Sequence, residues 1–181
     1  YIFGDCAINP ELDAQGLAEI AVESAKSAQS FGMEPKVAML SFSTKGSAKS
    51  DDVTKVQDAL KLAQDKVAEE QLDYVVIDGE FQFDAAIVPS VAEKKAPGAK
   101  IQGDANVFIF PSLEAGNIGY KIAQRLGGYD AVGPVLQGLN SPVNDLSRGC
   151  SIEDVYNLSI ITAAQSLQSV SYTHLTLPTN R

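Results

Sequence analysis

The segment Asn144 to Asp154, NDLSRGCSIED, holds the side chains with the most chemical reach in this chain: Ser147, Arg148 and Asp154. A guanidinium placed between a serine and a glycine serves neither packing nor solubility, and the chain has only three arginines. A cation just before a helix start near Ser151 favours an anionic ligand, because the helix N-terminus and the guanidinium attract the same charge. A plainer reading stands beside this one. Ser151 and Asp154 match the S-x-x-[DE] capping box, in which the serine caps the helix and the acid answers from the third helical position. Cys150 is then a small apolar residue. That reading accounts for Asp154 but leaves Ser147 and Arg148 without a task, which a bound anion supplies.

Three other stretches carry chemistry. STKGSAKS (43–50) joins a strand to a helix start and offers hydroxyls, Lys45 and Lys49, a setting that suits phosphate. It lacks the spacing of a P-loop, so nucleotide hydrolysis is not indicated, and a solvated loop with an N-cap is the alternative. DGEFQFDAA (78–86) gathers Asp78, Glu80 and Asp84, either to hold a cation or act as bases, or as turn and helix-start residues. EAGNIGYK (114–121) puts Gly116 and Gly119 inside a helical pattern, where each costs about 1 kcal/mol relative to alanine. Either a ligand or another chain approaches that face, or the helix packs tightly on a sheet.

These stretches are positioned by alternating elements. Strand patterns appear at YIFGDCAI, KVAMLSF, DYVVIDG, NVFIF and AVGPVLQ. Helical periodicity links Leu17, Ile20, Ala21, Ala25, Ala28 and Phe31, and again Val53, Val56, Leu60, Ala63 and Val67 behind a Ser50 cap. Further helices are expected over 83–95, 113–126 and from Ser151 onward. The near-continuous apolar centre of YVVID suits a sheet covered on both faces. The pattern therefore predicts an α/β three-layer sandwich with a mostly parallel sheet. Ligands gather beyond the carboxyl ends of such strands, where the polar and glycine-rich loops fall.

Composition narrows the function. With 45% hydrophobic and 20% charged residues the chain packs as a globular protein. A net charge of −9 argues against nucleic acid and anionic membranes as partners. No apolar run spans a bilayer and no signal-peptide pattern appears, so a cytoplasmic protein is expected, with Cys6 and Cys150 as free thiols. The chain starts within a strand pattern and without methionine, so an N-terminal portion is expected to be missing. SVSYTHLTLPTNR (169–181) breaks the preceding period and reads as a non-native tail; its His174 is a poor catalytic candidate.

Taken together, GDCAINP, STKGS, DGEFQFDAAIVP, KAPGAKIQGDANVFIFPSLEAGNIGYKIAQRL, GPVLQGLNSPVNDLSRGCS and ITAAQ resemble the phosphate acetyltransferase (phosphotransacetylase) family, over about residues 1–168 and along its carboxyl-terminal half. The resemblance implies a two-domain α/β architecture like that of isocitrate and isopropylmalate dehydrogenases, with a cleft active site and a homodimer. Residues 1–139 would form the second domain and 140–168 a segment returning to the first. It implies reversible transfer of an acetyl group between acetyl phosphate and coenzyme A, with no cofactor or metal beyond these substrates, acetyl-CoA and phosphate. Asp154 would accept the thiol proton, Arg148 would neutralise phosphate and the developing oxyanion, and Ser147 would hydrogen-bond the tetrahedral species. Ser43, Lys45, Ser47, Asn117 and Asn144 are the expected substrate-binding residues. Arginines that the family places in its other half are absent, so residues 1–168 alone are expected to be inactive. The alternatives are a phosphate butyryltransferase and a non-catalytic, acetyl-CoA-sensing domain like that of some malic enzymes.

Overall fold

The computed structural model describes residues 1–146 and 148–174, the stretch 168–174 as helical backbone only. It divides into two compact units, Tyr1–Gly127 and Gly128–Arg181. The division expected at 139/140 falls inside the second.

The first unit is built on four strands, β1 (Ile2–Gly4), β2 (Lys36–Leu40), β3 (Val76–Phe81) and β4 (Val107–Ile109). They lie in the order β1-β4-β2-β3 and every pairing is parallel. Their side chains alternate between two cores. Val37, Met39, Ile77, Val107 and Ile109 face α1 (Ala14–Ser30) and α2 (Asp51–Glu69). Ala38, Leu40, Phe81 and Phe108 face the opposite way, onto α3 (Phe83–Ile87), α4 (Pro89–Lys95) and the 96–105 segment. Burial on both sides explains why these strands read as unbroken apolar runs. The three-layer expectation therefore holds for this unit.

Local chemistry sets the helix limits. Asp13 caps α1 by accepting from the Gly16 N–H at 2.8 Å, and Ser50 caps α2 from the Val53 N–H at 3.2 Å with Asp51 and Asp52 in the first turn. The single helix expected over 83–95 is two. Pro89 excludes helical backbone from the residue before it, and Val88 accordingly sits extended at φ −115°, ψ 110°. The proline then opens α4 at its first position. The last helix of this unit, α5 (Leu113–Gly127), ends where the sequence places its glycines.

In the second unit AVGPVLQ forms no strand. Pro134 brings no N–H, Gly133 has φ 145°, and side chains take the role of a neighbouring strand at Leu136. The Leu136 N–H donates to Asn144 Oδ1 at 2.7 Å, and its carbonyl accepts from Gln165 Nε2 at 3.3 Å. A long helix, α6 (Ile152–His174), follows. It runs through Ser169 without the expected break, since nothing before Pro178 forbids helix. The rest of the expected tail, 175–181, lies outside the described residues.

Candidate active site

Four of the expected site residues lie in the first unit. The turn after β2 carries Ser43, Lys45 and Ser47, and its backbone enters the left-handed region at Lys45 (φ 49°) and Gly46 (φ 81°). The anion that holds this turn belongs to the protein itself. Glu80 is buried on β3, 3% exposed. Its Oε1 accepts from Ser43 Oγ at 2.8 Å and from the Gly46 N–H at 2.7 Å, and Gln57 Nε2 donates to Oε2 at 3.1 Å. Burial pushes the Glu80 carboxyl up, but these hydrogen bonds outweigh it and hold the group below the usual carboxylate range. The Lys45 N–H donates to the Glu80 carbonyl at 3.0 Å, and Ser47 Oγ accepts from the Thr44 N–H at 3.0 Å. Ser43 itself is fully buried. Its hydroxyl, expected to meet substrate, instead ties the turn to Glu80 and accepts from the Ala48 N–H at 3.0 Å.

Lys45 does reach outward. Its ammonium pairs with Asp78, donates to the Gly79 carbonyl at 2.6 Å and lies 5.0 Å from the centre of the Phe81 ring. The three carboxylates of DGEFQFDAA thus do not converge. Glu80 holds the turn, Asp78 meets Lys45 and accepts from the Lys100 N–H at 2.7 Å, and exposed Asp84 pairs with Lys95 at 2.8 Å. The hydrogen bond from Lys95 holds Asp84 below its usual value. Among the described residues no three such groups come together to hold a metal ion.

Asn117, on α5, donates from Nδ2 to the Cys6 carbonyl at 3.0 Å and accepts from Lys121 at 2.7 Å. It fastens the start of α5 to the loop after β1. The same approach explains the helical glycines: a Cβ on Gly116 would stand 2.8 Å from the Asp5 carbonyl oxygen and 3.1 Å from Cys6 Sγ. Tight packing within the unit therefore accounts for Gly116. Cys6 is a poor nucleophile, since burial, with Asp5 beside it, pushes its thiol up to about 12.

The second unit carries Asn144, Arg148 and Asp154, while Ser147 lies outside the described residues. Both amide hydrogens of Asn144 are engaged, by Thr162 Oγ1 at 2.8 Å and Gln165 Oε1 at 2.7 Å. With its oxygen on Leu136, this expected substrate contact is a brace between the 136 segment and α6. At the head of α6 the capping box is formed in both directions. The Ser151 N–H donates to Asp154 Oδ2 at 2.8 Å, and the Asp154 N–H donates to Ser151 Oγ at 3.1 Å. Arg148 is exposed in the turn before it, and Asp154 is half-buried. An exposed guanidinium and a carboxylate fixed in its rotamer thus flank one helix N-terminus.

Gln57, Lys95 and Lys100 are the polar partners that sequence reasoning missed. Each reads as an ordinary surface residue of a helix or turn; folding brings Gln57 and Lys100 to the carboxylates of β3, and the bend between α3 and α4 brings Lys95 to Asp84.

The chain is thus a parallel α/β unit followed by a helix whose head carries a cation and a carboxylate. The family model described as phosphate acetyl/butaryl transferase matches residues 1–163, and the chain belongs to that family. A phosphate acetyltransferase of Staphylococcus epidermidis is 94% identical over 168 residues, covering 93% of this chain and 51% of its own length. A solved phosphotransacetylase from Staphylococcus aureus superposes with a TM-score of 0.88 at 89% identity, over 92% of this chain and 50% of that one. A branched-chain phosphotransacylase from Enterococcus faecalis is more distant, with a TM-score of 0.72 at 27% identity, over 90% of this chain and 58% of its own. The chain thus spans about half the length of the relatives it matches. No helix among the described residues is long and apolar enough to cross a membrane.

Proposed function

We propose that this chain supplies the Arg148–Asp154 part of an enzyme that moves an acetyl group reversibly between acetyl phosphate and coenzyme A. The observation that carries the reading is the exposed guanidinium and the fixed carboxylate at the head of α6, within a chain 94% identical to a phosphate acetyltransferase. Asp154 takes the proton of the coenzyme A thiol, and the thiolate attacks the acetyl carbonyl carbon. The carbon–oxygen bond to phosphate then breaks, and phosphate leaves with the electron pair. Arg148 balances the charge that builds on the carbonyl oxygen and on the departing phosphate. Asp154 Oδ2 accepts from the Ser151 N–H, so one oxygen does not close the capping box and take the proton at the same time. No acyl-enzyme is required, which agrees with the protonated state of Cys6.

Acetyl is preferred over a longer acyl group because the acetyltransferases stand far nearer in sequence than the branched-chain relative, 94% against 27% identity. The same reading takes coenzyme A, acetyl-CoA, acetyl phosphate and phosphate as ligands, the cytoplasm as compartment and a homodimer as assembly. It also holds that residues 1–168 are inactive alone.

Steady-state kinetics on a chain of the relatives' full length test the roles. Arg148→Ala and Asp154→Asn should each lower kcat by about 100-fold or more, with circular dichroism unchanged. Asp154→Asn keeps an acceptor for the Ser151 N–H, so near-normal turnover in that variant would leave Asp154 with the capping role alone.

A further inference from the structure

The ITAAQ motif (161–165) takes no part in the reaction described above, yet two of its side chains are committed to the segment that leads to Arg148. We propose that Thr162 and Gln165 are positioning residues for Arg148, acting through Asn144. The proposal rests on the acyl-transfer reading and adds to it the residues that set where the guanidinium stands.

Three hydrogen bonds close a cycle. The Leu136 N–H donates to Asn144 Oδ1 at 2.7 Å, Asn144 Nδ2 donates to Gln165 Oε1 at 2.7 Å, and Gln165 Nε2 donates to the Leu136 carbonyl at 3.3 Å. The other hydrogen of Asn144 Nδ2 goes to Thr162 Oγ1 at 2.8 Å, whose own hydrogen goes to the Leu158 carbonyl at 2.7 Å. The cycle runs in one direction only. Turning either amide over would set donor against donor and acceptor against acceptor, so Asn144 is fixed in orientation as well as in place. Members of such a closed network polarise one another, and losing one weakens the rest.

The segment anchored in this way lies against α6. Pro142, Asn144 and Leu146 are half-buried, while Ser141, Val143 and Asp145 are exposed, the alternation of an extended chain on a surface. The three half-buried residues line one groove with Leu158 and Thr162. Arg148 is four residues beyond Asn144 and three before Ser151, where the capping box fixes the chain to the head of the same helix. Anchors on one helix thus bracket the arginine from both sides. Gln165 stands about three turns along α6 from Asp154, about 16 Å at 1.5 Å per residue, which puts its amide out of reach of groups reacting there. Its influence therefore runs through Asn144, while the capping box holds Asp154 without it.

Steady-state kinetics on a chain of the relatives' full length test this, with Gln165→Met and Thr162→Val as variants of similar shape that lack the hydrogen bonds. Each should lower kcat/KM for acetyl phosphate by about fivefold or more, since a misplacement of about 1 Å can cost up to about 100-fold. KM for coenzyme A should stay within about threefold of the parent, because Asp154 keeps its own anchor. Thr162→Ser, which retains the hydroxyl, should stay within about twofold in every constant. In an Arg148→Ala background, Gln165→Met should cost less than about twofold more, because a residue acting through Arg148 has nothing further to lose. Should Gln165→Met lose its circular dichroism spectrum, Thr162→Val and Thr162→Ser carry the comparison, in the Arg148→Ala background as well. Parent-like kcat/KM in either folded variant overturns the proposal, as does an undiminished loss in the Arg148→Ala background. Thr162→Ser as slow as Thr162→Val, or a matching rise in KM for coenzyme A, also overturns it. If Arg148→Ala itself turns over normally, the acyl-transfer reading falls and the proposal with it. If Arg148→Ala is slow while Gln165→Met and Thr162→Val are not, the proposal falls alone.

Discussion

At the scale of single residues, the most consequential group in the first unit is Glu80, whose carboxylate organises a loop without touching solvent. It satisfies a buried hydroxyl, a backbone N–H and an amide at once. Removing it leaves those donors unpaired, which costs about 1–3 kcal/mol for each buried group. Glu80→Ala should therefore destabilise the fold by roughly 2–4 kcal/mol in urea titration, whereas Glu80→Gln, which keeps one acceptor oxygen, should cost about 1 kcal/mol. The sign of the pH dependence follows from the direction of the shift. The folded carboxyl lies below its unfolded value, so its contribution is complete above the unfolded value, about 4.3, and is lost as pH falls through the folded one. The parent should lose stability more steeply than Glu80→Gln below about pH 4. Parallel pH profiles for the two would remove the ionised carboxylate from the account.

At the scale of elements, the glycines of α5 separate two kinds of close approach. A methyl at Gly116 meets backbone, the Asp5 carbonyl, which α5 can relieve only by moving away from the loop after β1. A methyl at Gly119 meets the Phe110 ring at 3.1 Å, and a ring edge can rotate. Alanine also gains about 1 kcal/mol in helix propensity at either position. Gly116→Ala should thus lower stability by about 1–3 kcal/mol and Gly119→Ala should fall within about 1 kcal/mol of the parent. Equal losses would show that the loop yields as readily as the ring. The sequence marked these glycines as costly but could not name the partner, since Asp5 lies more than a hundred residues away. The same limit explains the other differences. Period-2 and period-3.6 patterns located the first four strands and the long helices, because those patterns record burial. AVGPVLQ carries the apolar content of a strand, yet a strand also needs a neighbouring ladder, and in its unit Asn144 and Gln165 replace one. The capping box at Ser151 and Asp154 was legible because all its atoms lie within one turn. The bond from Ser43 to Glu80 was not legible, because Glu80 arrives from another strand.

At the scale of the whole molecule, the two units differ in how much apolar surface each removes from water by itself. The first has buried side chains on both faces of its sheet, and Val37, Ala38, Met39, Val107, Phe108 and Ile109 are fully inaccessible. Among the described residues of the second, Leu158 is the only buried apolar side chain, while Ile152, Tyr156, Ile160 and Leu167 are 90, 66, 51 and 74% exposed. Apolar burial contributes about 25 cal/mol per Å², and helix propensity alone stabilises isolated helices poorly. A unit of this size with so little core therefore opens at a small free-energy cost. Native-state hydrogen exchange on this chain should show β2 amides of Val37–Met39 exchanging only through opening of the whole first unit. Amides of Val155–Gln165 on α6 should exchange at least about 100-fold faster, a difference of about 2.7 kcal/mol in opening free energy. Equal protection of α6 and β2 would mean that the second unit is held by more than its own contacts. In a chain of the relatives' full length, protection of α6 should rise if added residues cover Ile152, Tyr156 and Ile160. Comparing the two lengths thus measures how much of the Arg148–Asp154 geometry the second unit maintains unaided.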